Sequence, residues 1–87
     1  MNCYLYINQS IKNDSFYIGS SYNPQKRLLE HNNGQVRATR NKGPWVIKFT
    51  QKYINQKKAR QIEYKLKKLK RRDIIERIII DGYIKIE

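Results

Sequence analysis

Apolar and polar positions along the chain predict three strands and three helices. Cys3 to Ile7 (Cys-Tyr-Leu-Tyr-Ile) is aromatic and branched, which predicts a strand. The polar stretch Asn8–Ser15, with its Asn13-Asp14-Ser15 turn signal, leads to a second strand at Phe16-Tyr17-Ile18, and the separation suits an antiparallel hairpin. Asn23-Pro24 then opens a helix, with Asn as N-cap and Pro in the first turn. Leu28 and Leu29 form its apolar side, and Asn32-Asn33-Gly34 ends it with a left-handed cap. Gln35 to Pro44 lacks apolar periodicity and carries Arg37, Arg40 and Lys42, a basic loop. In Trp45–Tyr53, Trp45, Ile47 and Phe49 alternate with Val46, Lys48 and Thr50, the pattern of a strand in a sheet with one buried face. Asn55 caps a helix in which Ala59, Ile62, Leu66 and Leu69 recur at helical spacing. Ile74, Ile75, Ile78 and Ile79 mark a last helix that Gly82 terminates. The order ββαβαα predicts an α+β fold, one sheet covered by helices, as a single domain over residues 1–87.

Composition adds a partner. With 39% hydrophobic residues among 87, the chain can pack one modest core, burying roughly 60–65% of its unfolded surface. A single cysteine, Cys3, excludes an internal disulfide and a Cys-rich zinc site, and a single histidine, His31, excludes paired-His metal motifs. No apolar run approaches a membrane span and no signal-peptide pattern is present, so the expected location is the cytoplasm, with no membrane partner. Nineteen Lys and Arg against seven Asp and Glu give a net charge of +12. A folded domain so charged repels itself, and a polyanion relieves that repulsion while releasing counterions. An anionic membrane surface would call for a basic helix with a Trp/Phe/Leu face opposite, and the only Trp lies in a strand. Nucleic acid is therefore the expected partner.

The scarce acids narrow the chemistry. Asp14 sits in a turn, Asp81 before a cap glycine, and Asp73 and Glu76 at a helix start, while Glu30 has Lys26 one turn away. Glu63 stands alone on a lysine-rich helix. It is either half of an i,i+4 pair with Lys67 or a ligand for a hard cation set against phosphate oxygens. On the first helix Arg27 and His31 share a face, so a guanidinium that can grip phosphate has an imidazole one turn away. Among seven tyrosines, Tyr4, Tyr6 and Tyr17 fall in the first hairpin, with Tyr4 and Tyr6 on one strand face. Strand propensity accounts for them by default. A tyrosine acting as general base would need nearby cations to hold its pKa down.

These pieces together resemble the GIY-YIG nuclease domain. Tyr4-Leu5-Tyr6 is followed after ten residues by Tyr17-Ile18-Gly19, and Arg27 lies eight beyond the glycine. Arg27-Leu28-Leu29-Glu30-His31-Asn32 is similar to the family's R-x-x-x-H-N helix. Ala38-Thr39-Arg40 before Gly43-Pro44-Trp45 is similar to its threonine and proline–aromatic stretch, and Ala59 to Lys67 to its A-x-x-x-E-x-x-x-K helix. The match spans nearly the whole chain in order and spacing, and is nearest to the short bacterial members without the extra DNA-binding domain of intron-homing relatives.

The resemblance implies a small three-stranded, mainly antiparallel sheet flanked by helices, and phosphodiester hydrolysis with Mg²⁺ or Mn²⁺. It implies Glu63 as metal ligand, Tyr6 as general base or water-aligning group, and Tyr17 beside it. Arg27 would stabilise charge on the phosphate with His31 assisting, and Gly19 would permit a close backbone approach. Lys26, Arg37, Thr39, Arg40, Lys42 and Lys67 are the expected nucleic-acid contacts. Two departures stand out. Tyr4 replaces the motif's first glycine, leaving Tyr4 or Tyr6 open except by the ten-residue spacing, and Ile74-Ile75 lies where some relatives carry a helix asparagine. A one-residue slip in the hairpin would turn Tyr6 and Tyr17 to opposite faces.

The expected function is thus a metal-dependent DNA endonuclease or nickase, with branched or damaged DNA and a role in repair or recombination as the finer expectation. The rivals are the same fold gripping DNA or structured RNA without cutting, and a basic protein–protein adaptor. If about six phosphates are engaged, log K falls with log salt at a slope near −5.

Overall fold

The fold is taken from a computed structural model, which describes residues 1–84. The first hairpin joins β1 (Cys3–Ser10) to β2 (Phe16–Ser21), both longer than the apolar runs that predicted them. Ser10 extends β1 because its hydroxyl is itself a turn element. It accepts from the Lys12 and Asn13 amides and donates to the Lys42 carbonyl. Helix α1 (Pro24–Asn32) starts where Asn23 Oδ1 accepts from the Lys26 amide, and Gly34, at φ 75°, takes the left-handed turn after it. β3 spans Trp45–Tyr53. α2 (Gln56–Leu69) is capped by Asn55, and α3 (Arg72–Asp81) ends at Gly82 with φ 79°. The basic loop is more ordered than its sequence suggests, since Arg37–Thr39 forms a 3₁₀ turn with Val36 and Thr39 buried.

The sheet has order β2-β1-β3 and is antiparallel throughout. Helices cover both of its faces, which corrects the expectation of one buried face. Leu5, Ile7, Ile18 and Phe49 pack against Ile62 and Leu66 of α2 and Ile75 and Ile78 of α3 to form the main core. The opposite face carries Tyr6, Tyr17 and Trp45, and α1 lies over it. The strict alternation read in β3 fails for a local reason. The pairing steps from Ile7↔Phe49 to Asn8↔Ile47, so Lys48 bulges out and the face of the strand changes there. Trp45 therefore joins α1's side while Phe49 joins the main core. Leu69, expected on the buried stripe of α2, is 44% exposed at the helix end, where Lys70 turns left-handed at φ 52°.

Asn32 fixes α1 to the sheet. Its side-chain oxygen accepts from the Trp45 amide at 2.7 Å and its Nδ2 donates to the Trp45 carbonyl at 3.1 Å, as a neighbouring strand would. The main core rests on Ile62, which is fully buried. Replacing it with alanine should lower stability by about 2–5 kcal/mol in urea unfolding, the cost of a lost side chain plus the cavity left behind.

Candidate active site

The hairpin register decides which side chains meet. Tyr6 pairs with Gly19 and Asn8 with Tyr17, so Tyr6, Gly19 and Tyr17 share one face of the sheet. The Tyr6 phenol lies over Gly19, and a Cβ built there would overlap the Tyr6 ring. Glycine is required here because the Tyr6 ring occupies the place of its side chain. Tyr6 is 2% exposed and Tyr17 half-buried, with their ring centroids 6.4 Å apart.

α1 brings His31 down onto both tyrosines. The ring of His31 stands edge-on to Tyr17 at 4.8 Å, and its Nε2 lies 2.8 Å from the Tyr6 hydroxyl. On the other side, Nδ1 is 2.8 Å from Thr39 Oγ1, which also reaches the Val36 carbonyl at 3.3 Å. The direction of the chain follows from Val36. Its carbonyl can only accept, so the Thr39 hydroxyl donates to it and accepts from Nδ1–H. Nε2 is then the acceptor for the Tyr6 proton. Thr39, expected as a nucleic-acid contact, is 1% exposed and instead fixes the His31 tautomer.

Burial, helped by the Arg27 charge, lowers the His31 pKa from 6.5 to about 4, so the imidazole is neutral at physiological pH. Burial also pushes Tyr6 up to about 12, against a hydrogen bond and positive charge from Arg27. The condition for a free tyrosine base, cations that hold its pKa down, is thus not met at Tyr6. The charges of a +12 chain lie mostly on a wet surface, whereas the desolvation acts on the phenol itself. What the site contains at neutral pH is an un-ionised phenol donating to an un-ionised imidazole.

Arg27 and Glu63 bring charge to this pair. Arg27 donates to Glu30 at 2.8 Å, so the partner of Glu30 is Arg27 rather than Lys26. This ion pair raises the Arg27 pKa and lowers that of Glu30. Arg27 and Lys26 line a cavity of about 380 Å³ with Ser20, Ser21 and Tyr22. Glu63 reaches the same strand from α2. Its Oε1 accepts from Ser20 Oγ at 2.7 Å and its Oε2 from Lys67 Nζ at 2.7 Å. The i,i+4 pair with Lys67 is therefore real, and the Lys67 ammonium also sits 5.4 Å from the Tyr17 ring centroid. The Glu63 charge is among those acting on Tyr6.

Glu63 and Ser20 present hard oxygens, a donor set that fits Mg²⁺ or Mn²⁺. A carboxylate offers about four lone-pair sites, so two hydrogen bonds leave room for a cation. Among the described residues no three of His, Cys, Asp and Glu gather into a cage. Arg37, Arg40 and Lys42 are exposed on the loop, outside the Arg27 cavity, and Arg40 Nε donates to the Gly34 carbonyl. Sequence reasoning missed Ser20, which holds Glu63, and gave two residues other roles: Glu30, paired there with Lys26, holds Arg27, and Thr39, expected on nucleic acid, orients His31.

The family model described as the GIY-YIG catalytic domain matches residues 2–77. The chain belongs to the GIY-YIG family. It is similar to small bacterial members designated UPF0213. One from Oceanobacillus iheyensis is 36% identical over 69 residues, 78% of this chain and 79% of the relative. Another, from Clostridium perfringens, is 36% identical over 76 residues, 86% and 81% of the two chains. The solution NMR structure of a UPF0213 protein from Bacillus halodurans superposes with a TM-score of 0.58 at 30% identity, covering 94% of this chain and 87% of that one. The GIY-YIG domain is a nuclease-type domain, which makes nucleic acid the substrate class. No helix among the described residues is long and apolar enough to cross a membrane.

Three measurements check the buried pair. His31 is unprotonated in the fold down to about pH 4 but takes a proton near 6.5 when unfolded. Between those values the unfolded chain binds more protons, so stability should fall as pH drops from 6.5 towards 4. The imidazole NMR signals should stay constant from pH 8 to about 5; a midpoint near 6.5 in the folded protein would contradict the buried neutral state. Thr39→Val keeps the shape but removes the acceptor at Nδ1. It should change the ring's ¹⁵N tautomer signature, which an intact Tyr6–His31 arrangement without Thr39's help would leave unaltered.

Proposed function

We propose that residues 1–87 act as one unit, a divalent-metal-dependent DNA endonuclease or nickase, with Tyr6, Tyr17, Arg27, His31 and Glu63 as its hydrolytic centre and Gly19 as the motif residue that makes room for it. The observation that carries this reading is the buried Tyr6–His31 hydrogen bond with Arg27 beside the phenol. A buried phenol needs an acceptor in any fold; what supports a catalytic role here is that the acceptor is a neutral base and that the Arg27 guanidinium acts on the same oxygen.

The pair supplies a route for a proton without a free phenolate. As a water molecule attacks phosphorus, its proton passes to the Tyr6 oxygen while the Tyr6 proton passes to His31 Nε2. The new P–O bond forms as the bond to the leaving oxygen breaks. His31 then holds a positive charge in a buried site, with Nδ1–H still bonded to Thr39, and its low basicity favours returning the proton. The edge of the Tyr17 ring confines that imidazole. Arg27, oriented by Glu30, lies where charge accumulates on the phosphate oxygens. Glu63, with Ser20, would hold a divalent cation, which supplies charge neutralisation at the phosphate and the leaving oxygen. Lys67, exposed and on a flexible stem, can yield its place on the carboxylate or turn to phosphate. Lys26 extends the positive lining, and the loop cations Arg37, Arg40 and Lys42 add to the field that draws the polyanion in.

The second reading, the same fold gripping nucleic acid without cutting, draws on one observation. Lys67 already neutralises Glu63, as it would in a purely structural pair. Incubation with supercoiled, flapped and branched DNA and Mg²⁺ or Mn²⁺ separates the two. The nuclease reading expects cleavage that chelation abolishes, and a fall of about 10²-fold or more in rate for Glu63→Gln and Arg27→Ala. Undiminished cleavage in either variant would remove that residue from the centre, and binding without cleavage on every substrate would establish the module.

A further inference from the structure

Tyrosine rings stand exposed along a basic path leading away from the Arg27 cavity. That cavity is lined in part by Gln56, the first residue of α2. A second cavity, of about 540 Å³, shares Gln56 and is lined by Lys57, Arg60 and Tyr64. Tyr64 follows Glu63 in the helix, turned away from the core stripe of Ala59, Ile62 and Leu66, and is 65% exposed. Its ring has the Lys68 ammonium 5.9 Å from its centroid. Tyr22, 46% exposed, lines the Arg27 cavity itself.

We propose that Tyr22 and Tyr64 form a stacking track for unpaired nucleotides, so that the strand cut at Arg27 is recognised through exposed base faces on the Tyr64 side. The inference rests on the proposed hydrolytic centre, whose Arg27 lines this cavity and whose Glu63 is held by the cavity's Ser20, and specifies the substrate class for it. Every base offers a π-face, but in a duplex those faces are covered by neighbouring base pairs. An exposed aromatic ring beside cations is therefore useful to a single strand, a flap or a gap, and adds little to the grip on an intact helix. Lys57 and Arg60 lie where the backbone phosphates of such a strand would run, and Lys68 adds positive charge at the ring. The same cations make an apolar or basic protein partner a poor fit. An acidic protein surface is the remaining competitor for this patch.

The test is fluorescence anisotropy without divalent metal, so that nothing is cut. Labelled single strand, duplex, and duplex with a single-stranded tail are compared at about 0.2 M salt, where the phosphate contribution is weakened. Tyr64→Ala should bind the single strand and the tailed duplex about 5- to 100-fold more weakly, with duplex affinity changed by less than about twofold. Tyr64→Phe, which keeps the ring, should retain wild-type binding. Because Tyr64 is exposed, thermal unfolding of both variants should match wild type. Should the alanine variant lose stability, Tyr64→Trp replaces it, with equal or tighter single-strand binding expected and a loss counting against the track. Wild-type affinity in Tyr64→Ala would overturn the proposal and leave the acidic partner. Equal losses on single strand and duplex would also overturn it, as a general charge or folding effect. These binding results are read without catalysis. A failure of the nuclease reading would instead appear as no cleavage by the wild type with Mg²⁺, whatever Tyr64 does.

Discussion

Tyr6 and Gly19 face each other across the first hairpin, and the side chain that Gly19 lacks is the space the phenol fills. The rest of the site follows from that pairing. The register sets Tyr17 on the same face, two positions along, and turns Ser20 to the other, where it meets Glu63 from α2. The phenol, laid across β2, ends against His31 of α1. One strand pair thereby aligns groups from helices on opposite faces of the sheet. A shift of one residue would separate them all.

Burial gives this arrangement its electrostatic character. The same desolvation keeps Tyr6 protonated and His31 unprotonated, so the donor and acceptor are matched without any residue being ionised. Full charges are held nearer the solvent, on Arg27 with its partner Glu30 and on Glu63 with Lys67. The division suits chemistry on a phosphodiester. A dry hydrogen bond can move a proton, while half-exposed charges meet a ligand that brings its own negative charge. The excess of lysines and arginines serves attraction at longer range, and depends on salt as such fields do.

Much of this was legible in the sequence, for physical reasons. Periodicity, Asn caps and terminating glycines gave the element order, because caps satisfy backbone groups that have few alternatives. The motif spacing selected Tyr6 over Tyr4, and the isolation of Glu63 among lysines marked it for attention. Three features were hidden. The bulge beside Ile7 was invisible because Trp45, Ile47 and Phe49 are apolar on either side of it, so both faces looked like one. Thr39 read as a phosphate contact because its loop lacks periodicity, yet a 3₁₀ turn folds its hydroxyl under His31. The direction of the Tyr6 shift was hidden because net charge is a property of the whole chain, whereas burial is local to the phenol. Tertiary partners such as Ser20–Glu63, 43 residues apart, have no local signature at all.

Single-turnover cleavage by Tyr6→Phe tests whether the Tyr6 hydroxyl carries the proton of the attacking water. Phenylalanine keeps the ring over Gly19 and removes only the oxygen. The account predicts a rate lower by about 10²–10⁴-fold with DNA affinity unchanged. Cleavage at the wild-type rate with the hydroxyl gone would contradict it.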